Sequence, residues 1–359
     1  MHVNILASAE DQECGINHYT TSLESSLSIS NTRTGIKSYS TDVSHYIKKG
    51  WSSVKSDADI IHLQHEYGVF GPGSICSWPV IILLILGSTF LDKKIVVTFH
   101  NVWNKETFGP PFWFLKRFYI WMNNKLLIYA SDHIIVLSEN SEDKLVSMYG
   151  IQNYTRIPHG VQVDTCNLTK DEARSLLGWE RQADTVVLPG YIRRHKGHDR
   201  FVEIACADPH REYIIAGGVR NDIFEGYAEE LSSKSPDNMK ITGVLDDTEF
   251  GAVFAAADLC YLPYRDASGQ SGIANWSFAH GLPIFGSNID YFQELEDQTD
   301  GVKVVGTSTE TVIAEIDAYF DDEDHRRYMA RAATKYAEEN SIERVAQEHI
   351  NIYNSLLEE

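Results

Sequence analysis

The feature that most constrains this chain is a repeated alternation of short apolar segments with segments of helical length. The β-branched runs occur at residues 2–8, 58–64, 94–100, 132–138, 184–190, 212–218, 239–243, 257–263 and 282–287. Strands buried in parallel sheets read as such runs, and strand–helix alternation is typical of a parallel sheet covered by helices on both faces. The sequence therefore predicts an α/β protein in which this architecture occurs twice.

The length of 359 residues corresponds to about two domains. We expect a first parallel-sheet domain at residues 1–163, a linker at 164–183 and a second parallel-sheet domain at 184–340. Residues 341–359 are predicted to form an amphipathic helix, opened by Ser341 and Glu343, that packs back on the first domain.

Charge is divided unevenly between these halves. The chain has 31 Lys and Arg against 51 Asp and Glu, a formal net charge of −20. Residues 1–163 carry 13 basic and 14 acidic side chains, whereas residues 164–359 carry 18 and 37. Non-specific binding of nucleic acid depends on cations that displace phosphate counterions, so this composition excludes a general nucleic-acid binder.

The cysteines and the first residues of the chain indicate the cellular compartment of the protein. The five cysteines are odd in number and form no C-x-x-C pair, which favours reduced thiols over a disulfide framework or a zinc site. No secretory signal is visible after Met1, so we expect a cytoplasmic protein. Asp57 and Asp59 form a D-x-D pattern, but they precede a strand and are more simply a polar turn; no metal site is predicted.

Two neighbouring segments raise the question of membrane contact. Residues 78–91 carry no charge but are shorter than the roughly 20 residues needed to span a bilayer, which predicts a buried or interfacial helix. Residues 102–130 mix Trp, Phe and Tyr with Lys105, Lys116 and other cations. That mixture suits the inner face of a membrane, and it also suits a helix whose aromatic residues lie in the core.

The densest basic run of the acidic half lies in a strand-to-helix turn at residues 188–205. A strand ends at Gly190, and Arg193, Arg194, His195 and Lys196 precede Gly197 at the start of a helix. Guanidinium and ammonium groups beside a helix start favour anion binding, with a solvated basic turn as the alternative.

A second loop of this kind lies between a strand and a helix at residues 261–287. Its small and polar residues include Asp266, Ser268, Gln270, Ser271 and Gly272. Small residues let a ligand approach the backbone, although Ser is also an ordinary helix cap. Both loops follow the carboxyl ends of strands, where open α/β sheets bind ligands, so two phosphate-binding loops in one domain suggest a diphosphate.

Candidate residues in the first half also follow strands. Gly15 stands at a helix start, His100 ends a strand, and His65 and Glu66 lie in the segment HLQHEYGVFGPG. A histidine at the carboxyl end of a parallel strand either faces the ligand cleft or only caps a loop, and position alone leaves both open.

Together these segments resemble glycosyltransferase family 4, the glycosyl transferases group 1. The blocks HLQHEYGVFG, VVTFH, DHIIVLS, IPHGV, GYIRRHKG and PYRDASGQSG…AHGLPI follow the order of the family between about residues 3 and 295. The resemblance implies the GT-B architecture: two Rossmann-like domains facing a central cleft, with a C-terminal helix crossing back to the first. It also implies retaining transfer from a nucleotide-diphosphate sugar to a hydroxyl acceptor on a glycan, lipid or small molecule, without a cofactor or metal.

The resemblance assigns roles to particular residues. Arg193 and Lys196 would hold the donor diphosphate and act with His100, which would contact the transferred sugar, as the catalytic set. The remaining donor candidates are Gly15, Arg194, Asp266, Ser268, Gln270, Ser271, Gly272 and Glu294, with His65 and Glu66 on the acceptor side. Many family members carry two glutamates eight positions apart where this chain has Ser268 and Trp276. Asp266 is expected to substitute for the first, while ribose binding at Trp276 is in doubt.

Two other functions fit the same segments. A nucleotide-sugar epimerase or hydrolase would keep the phosphate loops and add a carboxylate or water-positioning group. A non-catalytic binding or scaffold protein would fit the missing glutamate pair.

Overall fold

The computed structural model of the chain describes residues 1–12, 14–103, 112–162, 168–219, 222–266 and 270–358. Within it the chain divides into a first unit, Met1–Gly160 with Ile342–Glu359, and a second unit, Val161–Ser341. Lys105, part of the predicted linker and Ser268 lie outside the described residues.

The first unit contains one parallel sheet of six strands in the order β2-β1-β3-β4-β5-β6. Its strands are β1 His2–Ser8, β2 Ser30–Ile36, β3 Ile60–His65, β4 Lys94–Phe99, β5 His133–Val136 and β6 Tyr154–Arg156. Its helices are α1 Gly15–Ser26, α2 Val43–Val54, α3 Ser77–Leu91, α4 Trp113–Ala130, α5 Glu139–Tyr149 and the C-terminal α14 Ile342–Glu358.

Helices cover both faces of this sheet. On one face, α1 and α14 pack together through Tyr19, Leu23 and Tyr353 against strand residues such as Ile5. On the other face, helices α2 to α5 pack against the opposite side chains of the same strands. Strand side chains alternate between the two faces, so the uninterrupted apolar runs of the sequence supply both cores.

The second unit repeats the architecture with the strand order β12-β11-β10-β7-β8-β9, again all parallel. Its strands are β7 Thr185–Pro189, β8 Glu212–Ala216, β9 Met239–Ile241, β10 Leu259–Leu262, β11 Ile284–Ser287 and β12 Val302–Val305. Its helices are α6 Lys170–Leu177, α7 His198–Ala207, α8 Glu225–Lys234, α9 Asp247–Ala256, α10 Gly272–Ala279, α11 Asp290–Gln298, α12 Thr309–Asp321 and α13 Glu323–Glu339.

Local sequence signals fix several helix ends. Thr169 and Glu172 form a capping box at the start of α6, and Asp246 and Glu249 form another at the start of α9. These reciprocal bonds satisfy backbone N–H groups that the first turn of a helix leaves without partners. At the other end of α5, Gly150 adopts a φ of +66°, which glycine tolerates without a steric penalty.

The predicted fold class is confirmed. Each half forms a doubly covered parallel sheet, and the C-terminal helix α14 belongs to the first unit. Within the described residues, no helix combines the length and apolar character needed to cross a bilayer. The uncharged segment at 78–91 is helix α3, with Val80 and Leu84 buried and Phe90 exposed.

Candidate functional site

The strand order of each sheet reverses at one point, and the candidate residues follow the strands at these points. In the second unit the reversal lies between β7 and β10, which are neighbours. The basic turn follows β7, and the loop leading to Gly272 follows β10. Crevices outside the carboxyl ends of strands at such a switch point are where open α/β sheets bind ligands.

The two loops of the second unit are held together through their backbones. Gly197 has a φ of +71°, and a Cβ at this position would lie 2.0 Å from the carbonyl oxygen of Pro263. The backbone N–H of Arg265 donates to the oxygen of His195 at 2.7 Å, and its guanidinium donates to the oxygen of Arg194 at 3.0 Å. The basic turn is therefore fixed against the loop after β10.

Lys196 is the half-buried cation of this turn. Its Nζ atom lies 5.8 Å from the ring centre of Tyr264, and so close to Gly190 that a Cβ there would lie 2.7 Å from it. Burial, together with the charge of Arg193, lowers the pKa of Lys196 to about 8. An ammonium group destabilised in this way gains most from an anionic ligand.

The two arginines of the turn have different surroundings. Arg194 is exposed, lies 4.3 Å from the ring centre of Tyr227 and comes within 4.0 Å of Glu230. Arg193 is half-buried and acts electrostatically on Lys196, while its carbonyl oxygen lies 3.2 Å from the Nδ1 atom of the buried His198. Arg193 is thus the arginine that shares the surroundings of Lys196.

The second loop brings the start of helix α10 to the same edge of the sheet. Ser271 precedes the first residue of α10 and makes no side-chain capping bond, and the first turn contains no acidic residue. The backbone N–H of Ser271 donates to the hydroxyl of Tyr291 at 3.2 Å. The amide of Ser271 is therefore already engaged by Tyr291. Apart from its chain neighbours and its own helix, no atom of the described residues lies within 4 Å of where a Cβ of Gly272 would be.

The other donor candidates lie around this loop. Asp266 is exposed, Gln270 is half-buried, and Ser268 is outside the described residues. Glu294 is half-buried on α11, where its carboxylate accepts from the side chain of Gln298 at 3.5 Å.

Trp276 takes part in an aromatic stack. Its ring is nearly parallel to that of Phe254 at 5.6 Å and to that of His280 at 5.9 Å, and it meets the edge of Phe250. An indole in such a stack contributes packing and offers no carboxylate to a ribose.

In the first unit, His100 sits at the end of a buried chain of polar groups. Its Nε2 lies 2.7 Å from Gln64 Oε1, which can only accept, so Nε2 carries the proton and Nδ1 keeps its lone pair. Gln64 contacts His62 at 3.3 Å, and His62 contacts the hydroxyl of Tyr353 on α14 at 2.6 Å. Burial lowers the pKa of His100 to about 3, so the ring is neutral at physiological pH.

His65 and Glu66 occupy different surroundings. His65 is fully buried beside Phe70, Tyr67 and Phe99, and neither of its ring nitrogens has a hydrogen-bond partner in the described part of the chain. Glu66 accepts from the backbone N–H of Gly68 at 2.6 Å, and burial raises its pKa. Glu66 therefore caps its own turn.

Gly15 begins helix α1 after the loop that follows β1. Apart from its chain neighbours and its own helix, no atom of the described residues lies within 4 Å of where a Cβ at position 15 would be, and Cys14 makes no side-chain capping bond. Because β1 and β3 flank the reversal of the first sheet, Gly15 and Glu66 follow the two strands at that point.

The sequence reasoning missed Gln64, His62 and His198. Gln64 and His62 are polar residues two positions apart in an otherwise apolar strand, so the period of two could have placed them on one face with His100 near its end. For His198, adjacency to the basic turn was the available signal. Among the described residues, no group of three or more His, Cys, Asp or Glu side chains is arranged to hold a metal ion.

The fold defines the class to which the chain is similar. Sucrose-phosphate synthase of Thermosynechococcus elongatus superposes with a TM-score of 0.78 at 15% identity, covering 99% of each chain. HepE of Anabaena in complex with UDP superposes with a TM-score of 0.75 at 13% identity, and the match covers 99% of this chain and 100% of that one. A glycosyltransferase of Rickettsia africae superposes with a TM-score of 0.75 at 17% identity, and the match covers 99% of this chain and 98% of that one. At these identities the likeness shows the fold, which is the GT-B fold of glycosyltransferases.

The family resemblance is confirmed over part of the sequence. Residues 38–165 match the family model described as Glycosyltransferase Family 4. No curated protein matches the chain by sequence. The matched residues include His65, Glu66 and His100 and precede the basic turn.

Proposed function

We propose that this protein is a retaining glycosyltransferase that moves a sugar from a nucleotide-diphosphate sugar to a hydroxyl acceptor. The observation that supports this most is the pair Arg193 and Lys196 at the switch point of the second sheet. Lys196 is partly desolvated with a lowered pKa, and neither residue pairs with a carboxylate within the described residues. Two such cations beside the start of α10 form a site for two phosphate groups.

The chemistry follows from where charge develops. When the bond between the sugar carbon and the diphosphate oxygen breaks, negative charge grows on the leaving diphosphate. Arg193, Lys196 and the amide of Gly272 would stabilise that charge in a preorganised site. The acceptor hydroxyl attacks from the side of the departing phosphate and gives its proton to a phosphate oxygen, which retains the configuration without a protein nucleophile or a metal.

His100 is proposed to contact the transferred sugar. Its ring is neutral, and the bond to Gln64 fixes the proton on Nε2. The Nδ1 lone pair is then available to accept from a sugar hydroxyl.

The nucleotide of the donor is proposed to be a uridine diphosphate, because structures of HepE of Anabaena contain UDP and UDP-glucose. The protein is proposed to act in the cytoplasm, where thiols stay reduced, because Cys14, Cys76, Cys206 and Cys260 form no disulfide.

The test begins with a thermal-shift screen of nucleotide sugars, followed by incubation of each stabilising donor with sugar, lipid and small-molecule acceptors. Mass spectrometry and NMR then identify the product and its anomeric configuration. A product with the donor's configuration supports the proposal. Free sugar without acceptor-dependent transfer indicates a hydrolase, an altered nucleotide sugar indicates an epimerase, and binding without turnover indicates a scaffold; each of these contradicts it.

A further inference from the structure

Three neighbouring helices of the first unit expose apolar side chains on their outer surfaces. Helix α2 packs on α3 and α3 packs on α4, all on the same face of the sheet. The exposed residues recur at helical spacing, so they form one stripe on each helix. The stripes are Val43, Ile47 and Trp51 on α2, Ile82, Leu86 and Phe90 on α3, and Phe114, Phe118 and Trp121 on α4.

These nine residues, here called the outer apolar face, lie on the solvent side of their helices and are not part of the hydrophobic core. Each is between 42% and 75% exposed, while the inner sides of the same helices bury residues such as Tyr46, Leu84 and Leu127 against the sheet. Exposed apolar side chains that recur on three neighbouring helices of one face indicate an interaction site.

The charge of the three helices is opposite to that of the whole chain. They contain Lys48, Lys49, Lys116, Arg117 and Lys125 but no Asp or Glu, in a chain whose net charge is −20. The acidic residues next to them in the sequence stand outside the helices, with Asp42 before α2, Asp92 after α3 and Asp132 after α4.

Cations and tryptophans are paired on this surface. Lys55 lies 4.9 Å from the ring centre of Trp51, Arg117 lies 4.3 Å from that of Trp113, and Lys125 lies 5.7 Å from that of Trp121. Aromatic rings with cations beside them are the combination found where proteins meet lipid headgroups.

From these observations we infer that the outer apolar face binds the surface of an anionic lipid bilayer. The apolar stripes enter the boundary between headgroups and acyl chains, and the cations contact anionic headgroups. An anionic lipid surface is favoured over a protein partner because cations on α2 and α4 flank the uncharged α3, and the three helices carry no Asp or Glu. The inference does not depend on the transferase activity.

The experiment is co-sedimentation of the full chain with vesicles of phosphatidylcholine, with and without phosphatidylglycerol. We expect binding to the vesicles that contain phosphatidylglycerol, weakened by salt, and little binding to the others. The triple variant Ile47→Gln/Leu86→Gln/Phe118→Gln should lose at least about tenfold in affinity. The matched control Leu176→Gln/Leu357→Gln alters exposed leucines on α6 and α14, neither of which contributes to the outer apolar face, and should bind as the unaltered protein does.

A second variant tests the cations separately, in case the triple variant does not fold. Lys48→Gln/Lys125→Gln leaves the apolar side chains in place and should lower the affinity for anionic vesicles by about 30-fold, from roughly fivefold per cation. Equal binding to both vesicle types, no binding to either, or unchanged binding by the triple variant would overturn the inference. So would a dimer in light scattering that the triple variant dissociates while vesicles bind neither protein, because the face would then bind a second copy.

Discussion

The α-carbon of Gly197 lies so close to the carbonyl of Pro263 that a Cβ at position 197 would be 2.0 Å from the oxygen. This contact joins the turn after β7 to the loop after β10, the two loops at the switch point of the second sheet. The position of Lys196, one residue earlier, is fixed by it.

Alanine substitutions at two glycines separate folding from ligand contact. Gly197→Ala is expected to destabilise or unfold the second unit, because a Cβ clashes with backbone and φ is positive. Gly15→Ala should leave the melting temperature unchanged, since no atom of the described residues beyond its chain neighbours and its own helix lies within 4 Å of a Cβ there, yet weaken donor turnover if a ligand approaches the start of α1. Calorimetric melting and turnover of both variants check this; a stable Gly197→Ala protein would contradict the described contact.

Removal of the half-buried cation Lys196 should weaken donor binding. Lys196→Ala is expected to weaken UDP binding by at least about tenfold, because it removes a partly desolvated charge beside the phosphate loops. Arg194→Ala should lower the affinity for UDP much less, since Arg194 is exposed and packs on Tyr227 near Glu230. Isothermal titration calorimetry measures both; equal losses would show that the two cations contribute alike.

Donor binding should take up protons near pH 8. Burial lowers the pKa of Lys196 to about 8 in the free protein, so about half of the molecules carry a neutral amine at that pH. An anionic ligand favours the charged form and raises this pKa, so UDP binding should take up about half a proton and weaken as pH rises further. Calorimetry in buffers of different ionisation enthalpy measures the uptake, and Lys196→Gln, which cannot titrate, is the control. The same uptake by the control would assign the proton to another group.

His65 should limit stability in acid. Burial lowers its pKa to about 3, below the unfolded value of roughly 6.5, so stability is fully present above pH 6.5 and is lost as pH falls. Between pH 7 and pH 5, protonation of this histidine in the unfolded chain lowers the free energy of unfolding by about 2 kcal/mol. His65→Phe removes the titration and the unpartnered nitrogens among Phe70, Tyr67 and Phe99, so the variant should melt higher than the unaltered protein at pH 5.

Activity of the same variant distinguishes the two roles considered for His65. Unchanged transfer by His65→Phe would identify it as a core residue, whereas loss of transfer in a more stable protein would place it in the acceptor site. A melting temperature equally pH-dependent in both proteins would contradict the assigned burial.

The sequence predicted nine strands and missed three, β2, β6 and β12, that lie at the edges of the two sheets. All nine predicted strands are present, but β2, with the residues SNTRTGI, carries no apolar run because it lies at the edge of the sheet. Its Arg33 side chain bonds Glu24 at 2.9 Å, an interaction between segments that no local pattern reveals. The short edge strands β6 and β12 were missed as well.

The candidate site was predictable where chemistry lies in a local motif, as in the basic turn. The surroundings of each residue were not, because they depend on tertiary contacts. The sequence left Arg193 and Arg194 equivalent, and packing on Tyr227 distinguishes them. Likewise Gln64 contacts His100 only because β3 and β4 are neighbours in the sheet.

The most direct test of the account is sugar transfer by the unaltered protein and by Lys196→Ala, assayed side by side with the donor and acceptor that the screen identifies. Circular dichroism of both proteins serves as the control for folding. We expect a product of retained configuration together with free nucleoside diphosphate from the unaltered protein, and no product from the folded variant. Equal transfer by the two proteins would contradict the assignment of the donor diphosphate to the basic turn.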